Sequence, residues 1–246
     1  MNNIQQKAIE PIPTDQLETA GKPVGTLRDV DKIEKKLGRS RDTLMARGAI
    51  YYNLRQYDKA KYYFGLAAKK GFDTAIITCL LKTHSALKAM EETEEYFLEA
   101  QATLSDNPIF WQLWGYVKME LKQFKDASDK FLNAKKYNFP DKKTNTEFLL
   151  KSLNNCDEDE KVIFYAEEAI ENGINDYFVI ECYMSALMGT DEFQKAYDLL
   201  ENCPIDWDKS ARLNAFYAVC INVLFQDNEK AVYYTEKAHN LDPDNV

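Results

Sequence analysis

The feature that most constrains this chain is a period. Gly48, Tyr57, Ala60, Phe64 and Ala67 recur as Gly115, Phe124, Ala127, Phe131 and Ala134, each 67 residues further on. That distance is two units of 33 to 34 residues. An intermediate unit places Thr93, Phe97 and Ala100 in the same phase. Later units place Val162, Ala166 and Ala169, then Phe193, Ala196, Leu200 and Cys203, then Ala231, Thr235 and Ala238. The closing small residues Ala67, Ala100, Ala134, Ala169, Cys203 and Ala238 are spaced 33, 34, 35, 34 and 35 apart. A period of this length marks a repeat array, in which no unit buries its apolar face alone and neighbours must stack.

The residue types say what each unit is. It reads as a helix A, a short polar turn and a helix B. Two helices cross closely only where the contacting residues are small. Gly48 and Gly115 on helix A, with Ala60, Ala127, Ala196 and Ala231 on helix B, supply that closeness. Phe64, Phe97 and Phe131 fill the space between hairpins, and the closing small residues let the next helix A approach. Tyr57-Asp58, Phe124-Lys125 and Glu192-Phe193 open B helices after polar turns. Gly71, Pro140, Gly173, Pro204 and Pro243 fall between units, where helices stop. Only 9 glycines and 7 prolines in 246 residues agree with an all-α chain.

A small residue on helix A, an aromatic before helix B, then alanine, a large residue and alanine at these spacings resembles the tetratricopeptide repeat (TPR). Asp242-Pro243-Asp244-Asn245 is similar to the turn between its repeats. The resemblance covers residues 41–246. The units 41–73, 108–142 and 212–246 match well; 74–107, 143–176 and 177–211 depart from the pattern. Thr93 and Val162 stand where the family prefers alanine, and Ala166 where it prefers a large residue. The resemblance implies an all-α fold: a right-handed α-solenoid (superhelix) of about six antiparallel helix hairpins.

Residues 27–40 supply an N-terminal capping helix. Thr26 is its N-cap, Leu27, Val30, Ile33 and Leu37 form one apolar stripe, and Gly38 ends it. Residues 1–26 are polar and interrupted by Pro11, Pro13, Gly21, Pro23 and Gly25, which predicts a disordered arm. The last helix B leaves an uncapped face at the C-terminal end, a place for self-association.

Composition excludes several functions. The net charge of −9 opposes binding to nucleic acid or to an anionic membrane surface. Lys135, Lys136, Lys142 and Lys143 read as a solvated helix end and loop. No apolar run reaches the roughly 18 residues of a membrane-spanning helix. Cys79, Cys156, Cys182, Cys203 and Cys220 are odd in number and scattered, which does not describe a disulfide framework and points to a reducing, cytoplasmic compartment. A periplasmic or membrane-tethered location is the alternative, should a signal precede the arm. His84 and His239 lack ligand-spaced Cys or His, so no metal site and no cofactor are expected. There is no phosphate-binding glycine loop and no nucleophile elbow. Glu94-Glu95 and Glu167-Glu168 read as outward-facing positions on helix B, and the acidic run 156–160 as a solvated helix start. An enzyme is not expected.

The resemblance implies where a partner would bind. In TPR superhelices the A helices line a concave groove that holds extended or helical peptides. By position the groove here takes Met45, Tyr52 and Asn53, then Lys82, then Gln112, Tyr116 and Met119, then Glu147 and Lys151, then Glu181, then Phe216. Ala49, Thr78, Ser85, Asn154, Ser185, Met188, Cys220 and Val223 stand among them. Tyr52, Tyr116 and Phe216 read as aromatic anchors, and Lys82 and Lys151 as readers of acidic groups. Met45 and Ala49 occupy the positions where co-chaperones of the family carry the Lys and Asn of a carboxylate clamp, so that activity is not expected. Two readings remain: an adaptor or scaffold holding a peptide or protein segment, and a chaperone or assembly factor for secreted or membrane-complex subunits.

Overall fold

The computed structural model describes residues 18–19, 22–23, 25–203 and 205–243. These form thirteen α-helices, one short 3-10 turn and one two-residue β pairing. They fall into two compact units that divide between residues 122 and 123, inside the sequence unit 108–142.

In the first unit, β1 (Glu18–Thr19) pairs antiparallel with β2 (Lys22–Pro23). Most of the arm expected over residues 1–26 lies outside the described residues. The helix α1 (Leu27–Leu37) follows. Then come two hairpins, α2 (Arg41–Asn53) with α3 (Tyr57–Ala68) and α4 (Thr74–Leu87) with α5 (Met90–Leu104). The A helix α6 (Pro108–Glu120) completes the unit. The second unit opens with the B helix α7 (Phe124–Lys136). Its hairpins are α8 (Lys142–Asn154) with α9 (Asp159–Glu171), α10 (Tyr177–Gly189) with α11 (Phe193–Glu201), and α12 (Ala211–Phe225) with α13 (Asn228–Leu241). Within each unit every helix packs on the next, and successive A helices lie side by side: α2 with α4 and α4 with α6, then α8 with α10 and α10 with α12.

Two local devices repeat with the period. Every A helix starts at a short polar cap, Ser40, Asp73, Asn107, Asp141, Asp176 or Ser210, whose side chain accepts from the first-turn backbone. Such caps satisfy N–H groups that have no partner inside the helix. Most B helices have no side-chain cap, starting instead after a single left-handed residue. Those residues are Arg55, Lys88, Lys122, Asp157, Asp191 and Gln226, each with φ between 54° and 59°. Each stands twelve positions before the small residue that closes its unit. None is glycine, although the left-handed region costs other residues about 1 kcal/mol. The chain reversal fixes this conformation, and sequence composition does not reveal it.

The periodic residues build the core. Phe64, Phe97 and Phe131 are fully buried, as are Ala60, Ala67, Ala100, Ala127, Ala134 and Ala196. A β-carbon on Gly48 would fall on the ring of Phe64, so glycine is required there. Thr93 and Val162 are buried too, so the substitutions for alanine are absorbed by packing. In the first unit an aromatic group of Phe97, Phe110, Trp111 and Trp114 has ring centroids 5.3–5.7 Å apart. In the second, the 3-10 turn Trp207–Lys209 brings Trp207 4.7 Å from Tyr217, which lies 4.7 Å from Tyr234. Nothing in the period announces that turn.

The helix α1 docks through Val30 on Ala46 and Ile50, with Leu27 and Ile33 beside them. A polar contact reinforces it: Arg47 donates to Glu34 at 2.8 Å and also pairs with Asp31. Burial opposes charge on Glu34, but the hydrogen bond and charge of Arg47 outweigh it and lower the pKa of the carboxyl.

Candidate functional site

The A-helix faces separate the expected groove residues into two groups. Met45, Tyr52 and Gln112 are only 5–7% exposed, and Ala49 and Cys220 are fully buried. Met45 and Tyr52 belong to the core cluster around Phe64, and Tyr52 packs edge-on against Tyr57 at 5.3 Å. Burial raises the Tyr52 hydroxyl to about 12. These side chains face the neighbouring hairpin, so they do not present themselves to a ligand. Tyr52 is a packing residue rather than an anchor.

The rest lie at or near the surface. In the first unit Asn53 is exposed, and Lys82, Tyr116 and Met119 are half-buried on α4 and α6. In the second, Glu147 and Lys151 on α8, Glu181 on α10 and Phe216 on α12 are half-buried. Their electrostatics differ. Burial, followed by the charge of Asp176, raises Glu147, whose side chain lies 3.7 Å from Lys143. Glu181 accepts a 2.8 Å hydrogen bond from the N-cap Ser210, which ties α10 to α12. Ser185 is 3.5 Å from the Arg212 guanidinium, which also lies 5.5 Å from the Phe216 ring centroid.

Arg212 and Ser210 were absent from the sequence expectation. A signal existed: Arg41, Lys143 and Arg212 each stand 26 positions before a closing small residue. The first two pair across to the cap of the next A helix, Arg41 with Asp73 and Lys143 with Asp176 at 2.8 Å.

The acidic pairs read as outward-facing are bridges between helices. Glu94 pairs with the buried Lys118, Glu168 with Lys135, and Glu167 with Lys195 at 2.6 Å while accepting from Tyr183 at 2.6 Å. The lysines read as a basic patch are largely engaged as well, through Lys135–Glu168 and Lys143–Asp176. His84 is buried, with Nδ1 2.9 Å from Thr93 Oγ1. Burial, aided by Lys61, lowers its pKa to about 4. Burial raises the thiols of Cys79 and Cys182 to about 12 and that of Cys220 to about 11. A thiol so far from its thiolate is a poor nucleophile. A cavity of about 190 Å³ lies among α7, α8 and α9, walled by Phe139, Leu149 and Ile174 and rimmed by Lys135 and Asn172.

No family model matches the chain, and no curated protein does. Solved structures do. YrrB, a TPR protein with an unusual peptide-binding site, is 18% identical over 74% of this chain and 93% of its own, with a TM-score of 0.60. A double mutant of MamA RS-1 is 14% identical over 70% and 96%, with a TM-score of 0.59. PilF of Pseudomonas aeruginosa is 19% identical over 83% and 92%, with a TM-score of 0.54. At these identities the likeness speaks to the fold: the chain is a TPR-like array of helical hairpins.

Proposed function

We propose that this protein is a non-catalytic interaction module that holds a peptide or protein segment on the A-helix faces of its hairpins. One observation carries the reading. In each unit the A helices lie side by side and expose a mixed row of charged, amide, aromatic and thioether groups, while the remaining positions of the same helices are packed as core. A preformed surface of this kind binds an extended segment without reordering its own backbone. The peptide-binding site of YrrB, on the same fold, agrees with it. The suppressed thiols and the neutral, buried His84 favour binding over chemistry. Five free cysteines fit a reducing, cytoplasmic location.

The test is site-specific photo-crosslinking in native extract. Probes at Lys82 and Ser185, on A helices, are expected to trap a protein or peptide. Probes at the exposed B-helix residues Tyr62 and Phe164 are expected to trap little. Adducts confined to the B-helix probes would sink the proposal.

A second reading has its own support. Val219, Val223, Phe225, Val232 and Tyr233 are 45–58% exposed on the last hairpin, more apolar surface than a solvated helix pair needs. An assembly factor holding an apolar client, or self-association at this end, would use it. Light scattering across concentration, with Val232→Asp as control, separates self-association from client binding.

A further inference from the structure

On the A-helix face of the second unit, acids and bases are in different states. Glu147 has Lys143 beside it, and Glu181 accepts from Ser210. Lys143 in turn is paired with Asp176. Lys151 on α8 and Arg212 on α12 are different: among the described residues no carboxylate pairs with either. Arg212 is exposed, and its polar contact is the neutral Ser185 hydroxyl at 3.5 Å. In a chain of net charge −9, two cations left without acidic partners on one face stand out. Elsewhere in this unit Lys135, Lys161, Lys195, Lys209 and Lys237 each have a carboxylate.

We infer that the face of α8, α10 and α12 takes an extended acidic peptide segment, whose carboxylates pair with Lys151 and Arg212 and whose apolar side chain lies against Phe216. The inference rests on the binding role proposed above and adds the partner's chemistry. Charge-assisted hydrogen bonds to guanidinium and ammonium are the stronger kind, and they suit carboxylates. Phe216 is half-buried, with the Arg212 guanidinium 5.5 Å from its ring centroid, so one partner residue can meet charge and apolar surface together. Exposed Val223 extends that apolar surface along α12. A nucleic acid offers anionic groups too, but its dense charge is repelled by the protein as a whole, whereas a short segment carries few charges.

The test is a random-peptide display selection with the full chain as bait, repeated with the Lys151→Gln/Arg212→Gln pair. Circular dichroism verifies that the variant folds. The expected result is a bound pool rich in Asp and Glu beside an apolar residue, and loss of that enrichment with the variant. A selected acidic peptide, labelled and titrated by anisotropy, is expected to bind about tenfold more weakly for each contact removed. Acidic enrichment that survives in the variant overturns the assignment. So does a pool of neutral or basic peptides, or tighter binding of a labelled single-stranded oligonucleotide than of any selected peptide. A neutral pool that is lost on Phe216→Ala would leave the binding role standing and remove only the acidic partner. An empty pool would remove both.

Discussion

The first hairpin, α2–α3, and the last, α12–α13, are written in the same code and packed very differently. Counting back from the closing alanines, Phe64 corresponds to Thr235 and Gly48 to Val219. Phe64 is fully buried on Gly48, whereas Thr235 is exposed and Val219 is 45% exposed. Nine residues of α2 are buried, but only Ala238 of α13 is. The helix α2 is enclosed by α1, α3 and α4, while α13 packs chiefly on α12. The lesson is that the repeat sets which face a helix turns toward its neighbour, and the neighbour sets how much that face contributes.

The comparison can be broken at matched positions. Phe64→Ala should cost about 3–5 kcal/mol in chemical denaturation, whereas Thr235→Ala should stay within about 0.5 kcal/mol. Equal losses would show that the last hairpin is packed like the first. Arg47→Ala removes the partner of Glu34, whose side chain is only 9% exposed, and should cost about 3 kcal/mol. Lys237→Ala breaks a more exposed pair with Asp208, 2.6 Å apart, and should cost under about 1 kcal/mol.

A smaller effect is tied to pH. His84 stays neutral in the fold to about pH 4, whereas the unfolded chain protonates its histidine near its ordinary pKa of 6.5. Its contribution is therefore complete above pH 6.5 and lost as pH falls toward 4. Between pH 7 and pH 5 the loss should be about 2 kcal/mol. Denaturation of wild type and His84→Leu at the two pH values checks this, since the variant's slope should flatten. The smallest effect should be the same at both ends of the chain. Arg55→Gly and Gln226→Gly relieve left-handed φ angles of 59° and 55° and should each stabilise by under about 1 kcal/mol. Thermal unfolding that separates the two variants would mean that this strain also depends on neighbours.

Much of the candidate site could be read from the repeat offset, which put Lys82, Lys151, Glu181 and Phe216 on one kind of helix face. The same offset also put Met45, Tyr52 and Gln112 there, and these are core. Offset gives the direction of a side chain from its helix axis. It does not give the distance to the next hairpin, and at Tyr52 that hairpin is close enough to cover the ring.

By itself, the sequence determined the hairpin unit, its period, the cap that starts each A helix, and the small and aromatic residues that let hairpins stack. These follow from local geometry, in which 3.6 residues per turn and the size of a side chain decide what fits. Tertiary structure alone decided that six non-glycine residues turn left-handed, that Lys118 is buried against Glu94, and that Lys151 and Arg212 stay without carboxylates. Each depends on groups from separate helices meeting in space, which the spacing of residues along one chain does not encode.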